Sequence, residues 1–230
     1  MEHLHPDRSR GILSDFKRFP VILSTSLKFG VKNRIILLLL LSSLGFAVGI
    51  IGLEQFWQPQ LKIILGSDSQ TWIFGVLATG YFLASSLGSI IITPICKLFK
   101  NNYTAVLLGN RLLMALLFIV LAMQGSLTGF IVFYWDLFVF NGMSNSPYLT
   151  IFNTHVPEDK RSTLLSLQSL SEQAGVLIGS LLTGYLAKRF TISTGWFVGA
   201  AVIGVSSIVF LIIPGLKDYM NNLKKGTKKQ

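Results

Sequence analysis

Six apolar stretches follow one another between Ile35 and Ile213, at about 35–58, 71–95, 104–123, 127–148, 163–187 and 195–213. Each is close to the roughly 20 residues a helix needs to cross a hydrocarbon core of about 30 Å. A core formed in water has no use for six such runs in series, so the chain reads as an all-α membrane protein with six transmembrane helices. Transmembrane β-strands would alternate apolar and polar residues over about 10 positions, and these runs do not alternate. Charged residues are 13% of the chain and hydrophobic residues 51%, against roughly 25% charged in soluble domains. The 21 glycines suit helices that approach closely in lipid, where small residues line the contacts. Lone Cys96 excludes an internal disulfide.

A net charge of +10 raises the question of nucleic acid, and its distribution answers it. Arg8, Arg10, Lys17, Arg18, Lys28, Lys32 and Arg34 precede the first run. Lys97 and Lys100 lie between the second and third, Lys160 and Arg161 between the fourth and fifth, and Lys217, Lys224, Lys225, Lys228 and Lys229 after the sixth. These are alternate connections, so all fall on one side of a membrane, and the other side holds only Lys62, Lys188 and Arg189. That asymmetry is the positive-inside pattern. It predicts a multi-pass protein of the cell membrane with both termini cytoplasmic, lipid headgroups as partners of the lysines, and no nucleic acid. The first run starts after more than thirty residues and is too long for a signal-peptide core, so it is expected to stay as a span.

Three segments result: a cytoplasmic head over 1–34, a six-span bundle over 35–215 and a basic tail over 216–230. In the head, Ile12, Phe16, Phe19, Leu23 and Leu27 recur every three or four residues among Lys17, Arg18 and Lys28. This spacing predicts a basic amphipathic helix lying on the membrane surface; a partner-binding helix has the same pattern. Pro59 is expected to kink or end the first span, and Trp57 to anchor it in the interface or to face a central cavity with Glu54 and Gln58.

Only Arg111, Asp136 and Glu172 are charged well inside the runs. At ~1.5 Å rise per residue they lie about 10, 16 and 13 Å from the cytoplasmic face. Charges at such depth face a bundle interior or a water cavity, and Asp136 and Glu172 are expected to do so. They are candidates for a substrate or proton pathway; a structural pair with Arg111, or a snorkelling Arg111, explains them equally. Asn141, Asn145 and Tyr148 continue the polar side of the fourth run, and with Gln168, Ser169 and Gln173 they can line a cavity or bond between helices. His3, His5 and His155 lie outside the runs, and neither G-x-S-G nor H-E-x-x-H occurs. The intramembrane serine and zinc proteases are therefore excluded as classes, no metal or cofactor is called for, and the chain does not read as an enzyme. No P-loop is present, which excludes a self-contained ATP-driven pump. The second and fifth runs each carry several small residues at comparable places in two three-helix halves, which is compatible with an inverted repeat and equally with ordinary close packing of membrane helices.

The segment Val156-Pro157-Glu158-Asp159-Lys160-Arg161-Ser162-Thr163-Leu164-Leu165-Ser166-Leu167, followed by Gln173-Ala174-Gly175 and Gly184-Tyr185-Leu186-Ala187, resembles the tenth-to-eleventh helix region of the major facilitator superfamily. The resemblance extends over about 12–215 and implies helices seven to twelve of a twelve-helix fold. Helices one to six have no counterpart in these residues. The family's basic loop signature is reduced here to Gly88 through Lys97 and Lys100, and Ser162 or Thr163 would cap the fifth helix. What the resemblance implies is the carboxy-terminal half of a secondary transporter, moving a small solute such as a drug, sugar or metabolite, with proton coupling. Asp136, Glu172 and Glu54 would carry charge in the pathway, beside Trp57, Gln58, Asn141, Asn145 and Gln173, with Arg111 as their charge partner. Such a half needs a partner: an amino-terminal six-helix half or a second copy. The alternatives are an inactive fragment and a non-transporting scaffold.

Overall fold

A computed structural model describes residues 33–66 and 71–213. The amphipathic head and the basic tail lie outside the described residues. Six long helices account for the described chain: α1 (Arg34–Leu65), α2 (Trp72–Leu98), α3 (Tyr103–Ala122), α4 (Leu127–His155), α5 (Arg161–Arg189) and α6 (Ile192–Ser207), with a 3-10 turn at Glu158–Lys160 and a short α7 (Val209–Ile212) continuing α6. Five of these stretches are long and apolar enough to cross a membrane: α1 to α4, and α6 with α7. α5 has the length, at 29 residues, but spends its middle on Gln168, Ser169, Ser171, Glu172 and Gln173.

Helix starts follow side-chain chemistry. Asn33 accepts from the amides of Ile35 and Ile36, Asn102 from Ala105, Ser126 from Gly129 and Thr191 from Thr194. Each satisfies amides that a first turn leaves without partners. α5 departs from expectation: it begins at Arg161 with no side-chain cap, so Ser162 and Thr163 lie inside the helix. The preceding 3-10 turn leads directly into its first turn, which removes the need for a cap. Of the two outcomes expected at Pro59, a kink or an end, the end does not occur: α1 runs on to Leu65. The carbonyl deprived of its amide is that of Gln55, four residues back, and both residues lie on an exposed face.

α1 packs on α5 and α6, α4 packs on α2 and α3, α3 packs on α6, and α1 touches α4. Backbones approach where side chains vanish. A methyl added to Gly175 would strike the Leu44 carbonyl and one on Gly179 the Val48 carbonyl; across the bundle, one on Gly142 would strike the Ser85 carbonyl and one on Gly88 that of Val139. Beside a small apolar core of Ile92, Cys96, Val106 and Met143, two large ones result. One, near the ends of α1 and α3 and the starts of α4 and α6, holds Leu53, Phe118, Phe130, Tyr134, Phe138 and Trp196. The other, at the opposite end, holds Ile36, Leu39, Leu107, Phe152, Leu164 and Phe210. Between them lies a polar waist.

Candidate functional site

The waist is built by residues at matching heights. α1, α3 and α5 all start from one end, and Ser43, Arg111 and Glu172 stand nine, eight and eleven residues into them, about 12–17 Å deep at ~1.5 Å per residue. A cavity of about 300 Å³ opens there, lined by Ser43 and Phe46 of α1, Ser85 and Ser89 of α2, Arg111 of α3, Asn141, Gly142, Ser144, Asn145 and Tyr148 of α4, and Glu172 of α5.

Arg111 is 2% exposed and does not snorkel. Its Nη1 donates to the Ser42 carbonyl (3.2 Å) and to Ser42 Oγ (2.7 Å). Its guanidinium carbon lies 4.3 Å from the Phe46 ring centroid, 5.2 Å from Phe210 and 5.7 Å from Tyr148. Ring faces attract a cation most strongly where water is excluded, so this cage offsets part of the cost of burying the charge. Nε is buried without a hydrogen-bond partner. Glu172 is half-buried and accepts from Ser43 Oγ (2.8 Å) and from Gln168 Nε2 (3.0 Å), both on Oε1. The two charges therefore bond to consecutive serines of α1 rather than to each other.

The surroundings hold these groups in place. Tyr148 Oη donates to the Leu39 carbonyl at 3.0 Å. Asn110 Nδ2 donates to the Phe140 carbonyl and to Ser144 Oγ, tying α3 to α4. Ser89 Oγ donates to the Gly142 carbonyl and Ser85 Oγ to that of Phe138, tying α2 to α4. Among the described residues no group of three or more His, Cys, Asp or Glu side chains is placed to hold a metal.

Of the residues singled out in the sequence, Arg111, Asn141, Asn145, Tyr148 and Glu172 meet in this cavity. Asp136 does not. It is exposed, and the nine residues separating it from Asn145 correspond to two and a half turns at about 100° each residue, which puts the two on opposite faces of α4. Asp136 therefore lies apart from this cavity, on a face of α4 that the described helices leave uncovered. Glu54 shares a face of α1 with Ser43, but eleven residues carry it about 16 Å toward the other end, where it and Gln58 are exposed. Gln173 is exposed too, one position round α5 from Glu172. Trp57 is 9% exposed, with its ring 5.5 Å from Tyr134 and 6.0 Å from Phe74. It belongs to the aromatic core and is no interfacial anchor. Sequence reasoning missed Ser42, Ser43, Phe46, Ser85, Ser89 and Ser144. The adjacent serines inside a leucine run were the available signal.

A polar, charge-bearing cavity at the waist of a bundle of apolar helices defines a multi-pass helical membrane protein with an internal site. The chain matches the model of the Major Facilitator Superfamily over residues 35–229, and it belongs to that family. It is 26% identical over 209 residues to YxaM of Bacillus subtilis (strain 168), described as an uncharacterized MFS-type transporter. That match covers 88% of this chain and 49% of the relative, so the chain spans about half the length of the curated relative it matches. No solved structure matches the chain.

Proposed function

We propose that this chain forms one six-helix wall of a secondary transporter, in the place of helices seven to twelve, and that the waist cavity is its half of the solute site. The observation that carries this reading is the buried Arg111 and the half-buried Glu172 in one cavity, each held by α1 and neither bonded to the other. A scaffold that kept these charges only for stability would gain more from a direct bidentate pair. Here both keep unused valences, and both residues line a space of ligand size.

The packing supports a three-plus-three repeat. Exchanging α1–α3 for α4–α6 turns the α1–α5 pair into α4–α2 and the α1–α6 pair into α4–α3, and leaves α1–α4 and α3–α6 unchanged. Alternating access then has the wall rock about the cavity against a facing wall, supplied by a second six-helix half or another copy. On this reading α5 is also a span; its polar middle turns toward α1 and the cavity through Glu172, Gln168 and Ser171, which donates to the Leu40 carbonyl. Glu172 is the coupling carboxylate, and both termini are cytoplasmic in the cell membrane by the charge asymmetry.

Proteoliposomes containing the chain with a complementary six-helix half test this. A pH gradient is expected to drive saturable solute uptake, lost in Glu172→Gln and absent for the chain as a demonstrated monomer. Uptake that is indifferent to Glu172→Gln removes the coupling role. Saturable uptake by the monomer removes the half-transporter reading. Orientation is read separately in a Cys96→Ser background: a cysteine at Ile192 is expected to label from outside and one at Lys225 only from inside, and the reverse result defeats the topology.

A further inference from the structure

The used and unused valences of the cavity point to the charge pattern of its ligand. Arg111 commits Nη1 to Ser42, while Nε is buried without a partner and Nη2 makes no hydrogen bond among the described residues. Glu172 receives both of its bonds on Oε1, and among the described residues Oε2 receives none. The other lining side chains are neutral: serines, asparagines, Phe46 and Tyr148. The lining therefore carries one positive and one negative charge, separated because Ser42 and Ser43 each hold one of them. At about 300 Å³ the space is at the small end of ligand sites.

Resting on the reading of this cavity as the solute site, we propose that it takes a small zwitterion: an acidic group on the free donors of Arg111, a cationic group on Glu172 Oε2, and a short polar or aliphatic body beside Asn141 and Asn145. The competing classes each leave a charge unanswered. A simple anion satisfies Arg111 and brings its own charge against Glu172. A simple cation does the opposite. A neutral polyol matches the serines and asparagines but leaves both ionised groups without ionic partners, and a site's unpaired polar groups, the buried Arg111 above all, count against a ligand that fails to meet them.

The test is titration calorimetry in lipid nanodiscs on the 230-residue chain assembled with a complementary six-helix half, with five probes: glycine and γ-aminobutyrate as zwitterions of short and long charge separation, butyrate, n-butylammonium and xylitol. One of the two zwitterions is expected to bind at least roughly tenfold tighter than the other three probes. Glu172→Gln leaves a net positive cavity, and the order is expected to reverse in favour of butyrate; the ranking in the unmodified chain decides even if that variant does not fold. Asn145→Leu, which narrows the cavity, is expected to weaken every probe that binds. Butyrate, butylammonium or xylitol binding as tightly as the better zwitterion, and weakened by Asn145→Leu, overturns the zwitterion and leaves the cavity as the solute site. Binding of no probe, or binding that Asn145→Leu does not touch, overturns both.

Discussion

The aromatic end of the bundle and its polar waist are made by the same helices and obey different rules. At the aromatic end, Trp196 touches Phe118 and Phe130, and Tyr134 stands among Trp57, Phe130 and Phe138 at centroid distances of 4.9–5.8 Å. One directional bond stands out there, from Trp196 Nε1 to the Gly52 carbonyl at 3.0 Å. At the waist nearly every contact is directional, and several polar atoms end without a partner, among them Arg111 Nε, Asn110 Oδ1 and Gln168 Oε1. Ring packing gains a little from every neighbour, in no one required direction. A polar site gains only from correct partners and loses when one is missing. The first region is suited to holding helices together, the second to recognising something that comes and goes.

That contrast can be broken most sharply with Trp196→Ala. It removes the largest fully buried side chain and is expected to cost about 3 kcal/mol, read by reversible denaturation in mixed micelles; a loss below about 1 kcal/mol shows that the aromatic end is not the anchor. Arg111→Met keeps bulk but removes the charge, the bonds to Ser42 and the ring contacts. A loss of about 2 kcal/mol is expected, and unchanged stability means that the cage contributes nothing net. Glu172→Gln preserves shape and can still accept from Ser43, so stability is expected to move by less than about 1 kcal/mol while ligand binding changes roughly tenfold. A large stability change with intact binding places Glu172 with the structural groups. Smallest of all is Asp136→Asn: an exposed side chain away from the cavity is expected to leave stability within about 0.5 kcal/mol and ligand binding unaltered. If binding collapses, the division between the two faces of α4 is wrong.

The helices were legible because length and apolarity decide them together. Where these two signals part, reading the chain became harder. α5 spends Gln168, Ser171 and Glu172 on its neighbours, so its apolarity dips although its length does not. Pro59 does not end α1, because the one carbonyl it deprives, that of Gln55, lies on an exposed face while the rest of the helix keeps its bonds. Arg111 and Glu172 stood out as charges in apolar runs, and their depths matched by counting rise alone. Asp136 stood out by the same signal and lies on the other side of its helix. Depth is readable from one dimension, but facing depends on which neighbours α4 acquires. The serines are ambiguous for a related reason: a hydroxyl in a helix is satisfied as easily by its own backbone, as Ser144 Oγ is in donating to Phe140, as by a partner on another helix.

Ser42 and Ser43 are consecutive, so their side chains point about 100° apart around α1, one reaching α3 through Arg111 and the other α5 through Glu172. α1 thus works as a camshaft with two lobes in fixed phase. Turning it by one position would slip both latches in the same motion, freeing the cation and the carboxylate together. A solute that seizes either charge pulls on the same shaft, and whatever it does to one grip is felt at the other.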